Sequence, residues 1–261
     1  MRTALCQIPV GDDPKENLDR IRESLRDCRD ADLAVFPEAA QVRFGNDLAA
    51  SAEPLDGPFV SALRQAAAEQ STALVAGVFE PAADGRVYNT AVAVDSDGRL
   101  TGRYRKIHLF DAFDYRESDY VVAGDEPVVV ELAGVRVGLA TCYDVRFPEL
   151  FRALVDAGAD VFVVIAAWAQ GCFKEEHWCT LARARAIENT TWTVAVDKAP
   201  DRTPPPRGGL TGVGRSMLVD PIGVVRADLG PHSTVQSCDV DLELTAKVRQ
   251  TLPSLKHRRL S

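Results

Sequence analysis

Apolar residues in this chain follow two alternating rhythms: short continuous runs, and longer stretches in which apolar positions recur every three or four residues. "TALCQI" (3–8) is the first continuous run and predicts a strand. "PKENLDRIRESLRDCRDA" (14–31) follows, with Leu18, Ile21 and Leu25 at helical spacing and Pro14 near its start. "DLAVFPE" (32–38) predicts a short strand stopped by Pro37 and Glu38, "GPFVSALRQAAAEQS" (57–71) a second helix, and "ALVAGVFEP" (73–81) another strand. "VYNTAVAVDSDGRLTGRYRKIHLF" (87–110) reads as a hairpin with Asp97-Gly98 at its turn.

Past an irregular stretch (111–124), "PVVVELAGVRVGLATC" predicts a further hairpin, "PELFRALVDAGA" a helix and "DVFVVIAAW" a strand. "KEEHWCTLARARAIENT" is a long helix before the strand "WTVAVDKA", and "PDRTPPPRGGLTGVG" is a proline- and glycine-dense loop. "RSMLVDPIGVVRADLG" closes as a hairpin, "TVQSCDVDL" as a strand, and the chain ends in the basic "KHRRLS". Strands mixed with helices and several hairpins predict an α/β fold with α and β layers around mixed sheets, not a purely parallel doubly wound sheet. One faint echo runs through the pattern: a helix, then Ala-Asp, then a short apolar strand occurs at "RDADLAVFPE" and again at "AGADVFVVIAAW".

Length and composition narrow the field. No composition shift marks a linker in the 261 residues, so 1–261 is read as one domain, long enough to bury a substantial core. A formal charge of −8 gives no reason to expect nucleic acid or an anionic membrane as partner. "MRTALCQIPV" is interrupted by Gln7 and Pro9 and does not read as a signal peptide, and the longest uncharged run (161–173) is too short to span a membrane, so the expectation is a cytoplasmic protein. Six cysteines, at 6, 28, 142, 172, 179 and 238, show neither C-x-x-C pairing nor a Cys/His zinc spacing. That disfavours a disulfide framework and a metal site, and leaves Cys142 as core filler or nucleophile.

Three ionisable residues end apolar strands: Glu38 after "LAVFP", Lys106 after "GRYR" and Cys142 after "VGLAT". Singly, each has a plain explanation, as a helix-start residue, a solvated strand end and a core side chain. Together they meet a chemical need. A thiol is mostly protonated at neutral pH; an ammonium beside it favours the thiolate and a carboxylate can take its proton. Attack on an amide carbonyl builds an oxyanion, which the same ammonium and a backbone N–H of the turn after Cys142 stabilise.

In this light "FPE", "YRKIHLF" and "CYDVRFPELFR" resemble the three catalytic motifs of the nitrilase superfamily of carbon–nitrogen hydrolases. "VYNTAVAV", "AGDEP", "KEEHWCTLARARAIEN" and "GRSMLVDPIG" extend the resemblance over nearly the whole chain in the family's order. It implies an α-β-β-α sandwich, no cofactor and a homo-oligomer, a dimer or larger. By motif position Cys142 corresponds to the nucleophile, Glu38 to the general base and Lys106 to the oxyanion stabiliser. Glu117, in "DYRESDY", corresponds to the family's second glutamate, its alternative being a solvated loop carboxylate.

"CYDVRFPE" is most similar to the branch holding deaminated-glutathione amidases and omega-amidases. Arg146 suits a bidentate pair with a substrate carboxylate, or else an ion pair with Asp144 or Glu149. Tyr143 offers a backbone N–H to the oxyanion. His108 reads as a hydrogen-bond partner and not a proton shuttle, while His177 and Trp178 read as helix packing or pocket wall. "FPEAAQVRFGNDL", "AAWAQGCFKEEHW" and "TPPPRGG" depart from the family's pattern where substrate choice is made. The expected function is hydrolysis of a terminal carboxamide on a small acidic metabolite, through a thioester. The alternatives are a nitrilase or N-carbamoyl amino acid hydrolase, and, from another class, a catalytically silent binding protein of the same fold.

Overall fold

A computed structural model describes residues 1–205 and 209–260 of the chain. Strands β1 (Arg2–Gln7), β2 (Leu33–Val35) and β3 (Ala73–Pro81) are parallel neighbours. Their alternate residues face opposite ways: Leu5, Leu33, Val35 and Val75 enter one buried layer, and Ala4, Ala34, Phe36 and Leu74 another. Burial on both faces is why these runs are apolar throughout and do not alternate. Antiparallel β4 (Val87–Val94) and β5 (Leu100–Arg105) extend the sheet beyond β3, and β14 (Thr234–Asp239) pairs with β1 at the other edge.

The second sheet has β8 (Val128–Leu132), β9 (Val135–Thr141), β10 (Val161–Ala166), β11 (Trp192–Asp197), β12 (Met217–Val219) and β13 (Val225–Asp228), in that spatial order. Inward-facing residues of both sheets share one core, Leu5 and Val75 from the first with Val137 and Leu139 from the second. On the first sheet's outer face lie α1 (Pro14–Asp27) and α3 (Pro58–Gln70), through Ile21, Leu25, Phe59 and Leu63. On the second lie α4 (Pro148–Asp156) and α5 (Lys174–Asn189), through Leu150, Phe151, Leu154, Trp178 and Ala182. The layers are therefore α-β-β-α. Each fully buried Leu, Val or Phe in them contributes about 1.5–3 kcal/mol of transfer free energy.

The expected hairpins form: β4–β5 around Asp97-Gly98, β8–β9 and β12–β13. The echo is also real in space, because β2 and β10 are the middle strands of the two parallel triplets. Three features were not expected. The "irregular" stretch holds a small ribbon, β6 (Asp111–Ala112) with β7 (Tyr115–Arg116), and a 3₁₀ turn at Glu117–Asp119. A four-residue helix, α2 (Leu48–Ser51), starts at the Asp47 cap. The last predicted strand stops at Asp239, and α6 (Leu242–Thr251) begins after Asp241, whose carboxylate accepts from the Glu243 N–H. That cap follows the strand with no Gly or Pro between, so the change of period was hidden. The loop 200–214 is partly outside the described residues, at 206–208.

Candidate active site

Glu38, Lys106 and Cys142 each stand just past a strand's carboxyl end, after β2, β5 and β9. Behind Glu38 the chain turns at Ala39 with φ +56°. Gly77 of β3 passes so close that a Cβ there would lie 2.5 Å from the Ala39 nitrogen and 2.7 Å from the Glu38 Cα, so only glycine fits. The Lys106 N–H donates to the Asn89 carbonyl at 2.8 Å, continuing the β4–β5 ladder to the site. Cys142 opens the 3₁₀ turn Cys142–Arg146 at φ +51°, a left-handed conformation that costs a non-glycine residue energy and turns the chain sharply out of β9.

The turn brings four ionisable groups together, all buried. The Lys106 ammonium lies 2.9 Å from Glu38 Oε1 and 2.9 Å from Glu117 Oε2. Asn89 Nδ2 donates to the same two carboxylates at 2.7 and 3.0 Å. Glu38 Oε2 accepts the Ala167 N–H at 2.7 Å, and Glu117 Oε2 the Phe110 N–H at 2.7 Å. Glu117 is thus a buried partner of the lysine, not a solvated loop carboxylate.

Burial opposes the charge on Lys106, but Glu117 and Glu38 outweigh it and raise its pKa well above the usual lysine range. Cys142 also shifts upward: burial comes first, then the negative charge of Glu38, against which Lys106 pulls the other way. In the sequence reading the ammonium favours the thiolate and the carboxylate can take its proton. In the structure two carboxylates surround one ammonium, and burial with their negative charge pushes the Cys142 thiol up.

Asp144, read before only as a partner for Arg146, positions the turn. Its Oδ2 accepts from the Thr141 N–H at 2.8 Å and the Tyr104 hydroxyl at 2.7 Å, and its Oδ1 from the His108 N–H at 3.1 Å. His108 Nδ1 is 2.7 Å from the same Oδ1, and the imidazole stacks on Phe147 with centroids 3.7 Å apart, as suits a hydrogen-bond partner behind the Cys142 turn. Among the described residues Arg146 has no carboxylate partner: its Nη2 meets His177 Nδ1 at 3.2 Å and its guanidinium lies 5.1 Å from the Trp168 ring centre. The ion-pair alternative for Arg146 therefore fails. Tyr143 sits edge-on to Phe110 and Phe147, and Trp178 is wholly buried, donating to the Arg215 carbonyl at 3.0 Å.

A cavity of about 380 Å³ opens over Cys142, Glu38, Lys106 and Glu117. Its walls include Phe44, Trp168, Lys174 and Leu210, which come from or adjoin the three segments that depart from the family's pattern. Arg146 and Tyr143 are not among its lining residues. Asn89 and Lys174 were missed in the sequence. Asn89 left a signal, as the amide inside the apolar "VYNTAVAV"; Lys174 reads there as an ordinary helix residue. Among the described residues no three His, Cys, Asp or Glu side chains gather as metal ligands, and no helix is long and apolar enough to cross a membrane.

A proton acceptor beside a thiol, with a fixed positive charge next to both, suits attack on an electrophilic carbon, and a hydrolase is the class that fold and site define. Comparison with known sequences supplies the family: residues 2–250 match the model described as carbon-nitrogen hydrolase, and the chain belongs to that family. The hydrolase Rv0480c of Mycobacterium tuberculosis is 39% identical, over 99% of this chain and 95% of its own length. The deaminated glutathione amidase of Escherichia coli O157:H7, from the branch expected here, is 37% identical over 89% of this chain and 86% of its own. The crystal structure of XC1258 from Xanthomonas campestris, a CN-hydrolase superfamily protein with an arsenic adduct in its active site, matches with TM-score 0.90 at 28% identity, covering 100% of this chain and 98% of that one.

Proposed function

We propose that the protein is an amidase that hydrolyses the terminal carboxamide of a small acidic molecule through a thioester on Cys142. The observation that carries this reading is the Lys106 ammonium held 2.9 Å from both Glu38 and Glu117 in the cavity that Cys142 lines. As Sγ attacks the carbonyl carbon, Glu38 takes the thiol proton. Lys106 and the backbone N–H of Tyr143 stabilise the oxyanion; the first N–H groups of a helical turn have no carbonyl partner within it. Glu38 then passes its proton to the leaving nitrogen, the C–N bond breaks and ammonia departs. Water enters, loses a proton to Glu38 and attacks the thioester; the acid leaves and the thiol is restored. Glu117 holds the ammonium through both carboxylate oxygens, at 2.9 and 3.1 Å, so that it faces each oxyanion in turn.

The reading extends to a cytoplasmic homo-oligomer. What supports an oligomer is the exposed apolar group formed by Ile187 on α5 with Ile222 and Val224; sedimentation in solution tests it. The thioester is tested by trapping. Quenched turnover is expected to show the acyl mass on the peptide containing Cys142, and hydroxylamine is expected to divert product to a hydroxamate. Turnover with neither, even when Glu117→Gln slows deacylation, would overturn the covalent route. Ammonia release across monoamides, nitriles and carbamoyl amino acids separates the amidase from its alternatives.

A further inference from the structure

Lys174 is a buried cation without a counterion. It is 6% exposed, and among the described residues it makes no ion pair and its ammonium no hydrogen bond. It lines the same cavity as Cys142, with its ammonium 3.8 Å from the Phe113 ring centre and 5.0 Å from that of Phe110. Its backbone is pinned: the carbonyl accepts from the Trp168 indole at 2.7 Å, and the N–H donates to Gly171 at 3.1 Å. Lys174 is also the first residue of α5, where the helix already presents unpaired N–H groups and positive potential. A cation there works against the helix dipole and gains nothing in stability from it. Aromatic faces return only a fraction of the hydration that a buried ammonium loses. Burial and the neighbouring Arg146 both lower its pKa, and a negative charge on Cys142 raises it, which places the three groups within electrostatic reach of one another.

Of Lys174 and Arg146, only Lys174 lines the cavity. The Arg146 guanidinium meets His177 and lies near the Trp168 and Tyr143 rings. The missing partner of Lys174 is an anion that enters with the substrate. Resting on the amidase reading above, we infer that Lys174 is the specificity residue that receives the substrate's free carboxylate, the acyl carbon being presented to Cys142 at the other end of a short chain. The buried Trp168 ring, 5.9 Å from the ammonium, shields one side of that ion pair and strengthens it, while Phe113 on the other side is itself exposed.

The experiment compares Lys174→Met, which keeps the stem and loses the charge, with Lys174→Arg and Arg146→Met. Two amides of equal length serve as substrates, succinamate with a carboxylate and butyramide without. In Lys174→Met the ratio of kcat/KM for succinamate over butyramide is expected to fall by about thirty-fold or more, the scale for removing one partner of a desolvated charge pair. Most of the change is expected in KM, and Lys174→Arg is expected to restore part of the ratio. An unchanged ratio, equal losses on both amides, or a larger fall in Arg146→Met than in Lys174→Met would each overturn the inference. Calorimetric binding of succinate to Cys142→Ala, with and without Lys174→Met, gives a readout that needs no turnover. Succinate binding that depends on Lys174 in a protein that releases no ammonia from any amide would uphold the inference and overturn the amidase reading. Ammonia release with succinate binding indifferent to Lys174 would do the reverse.

Discussion

In the first sheet β14 runs antiparallel to β1, β1–β3 are parallel, and β4 and β5 return antiparallel; in the second β8, then β9–β11, then β12 and β13 repeat that pattern strand for strand. The residues after the strands differ. The first sheet delivers charge, Glu38 after β2 and Lys106 after β5. The second delivers the thiol, Cys142 after β9, and at the end of the strand equivalent to β2 it offers the Ala167 N–H, which donates to the first sheet's Glu38 at 2.7 Å. Asp197, at the end of β11, is a buried carboxylate of another kind. It accepts the N–H groups of Trp168, Val213 and Gly214 at 2.8, 2.6 and 3.1 Å and holds the loops that wall the cavity. One scaffold used twice thus sets one copy's carboxylate beside the Lys106 ammonium and the other's behind the cavity walls. The cluster of Glu38, Lys106, Glu117 and Cys142 forms only where the two copies face each other.

The largest expected effect breaks the second sheet's contribution. Cys142→Ala should lower kcat by about 10⁵ or more, the scale of losing a nucleophile, with the circular dichroism spectrum unchanged. Glu38→Gln should lower kcat by about 10³, within the range for a general base, and leave the thermal midpoint close to wild type. Asp197→Ala should invert that result. It strands three buried N–H groups at roughly 1 kcal/mol or more each, so chemical denaturation should show about 3 kcal/mol of lost stability.

The smallest effect sharpens the assignment of the proton. The Glu38 charge raises the Cys142 thiol pKa and the Lys106 charge lowers it. Glu38→Gln should therefore move the pH profile of iodoacetamide alkylation at Cys142 to lower pH while turnover collapses, and Lys106→Ala should move it to higher pH. A resting thiolate, with a profile indifferent to Glu38, would refute a base that acts at the moment of attack.

Much of this was legible in the residues. Continuous apolar runs ending in Pro37-Glu38 and Cys142 marked strands with ionisable groups at their carboxyl ends, because a strand buried on both faces leaves only its ends for polar groups; Lys106 instead follows the half-exposed β5. Capping and hairpin punctuation placed most helices and turns. Glu117 was reached only through motif resemblance, since the ribbon and 3₁₀ turn that bury it lack a hydrophobic period to read.

What the sequence determined by itself was the alternation of elements, the likeness of "RDADLAVFPE" to "AGADVFVVIAAW", and which ionisable residues end its strands. Tertiary structure alone decided which groups meet. The sum of charges around Cys142, which pushes its thiol upward, depends on distances across two sheets and not on neighbours in the chain. The same holds for Asp144, drawn to Tyr104 and His108 from another sheet and away from nearby Arg146. It holds too for Lys174, an ordinary helix residue in one dimension and, in three, an ammonium beside aromatic rings with no ion-pair partner among the described residues. Charge and desolvation act through space, and only the fold brings those distances into being.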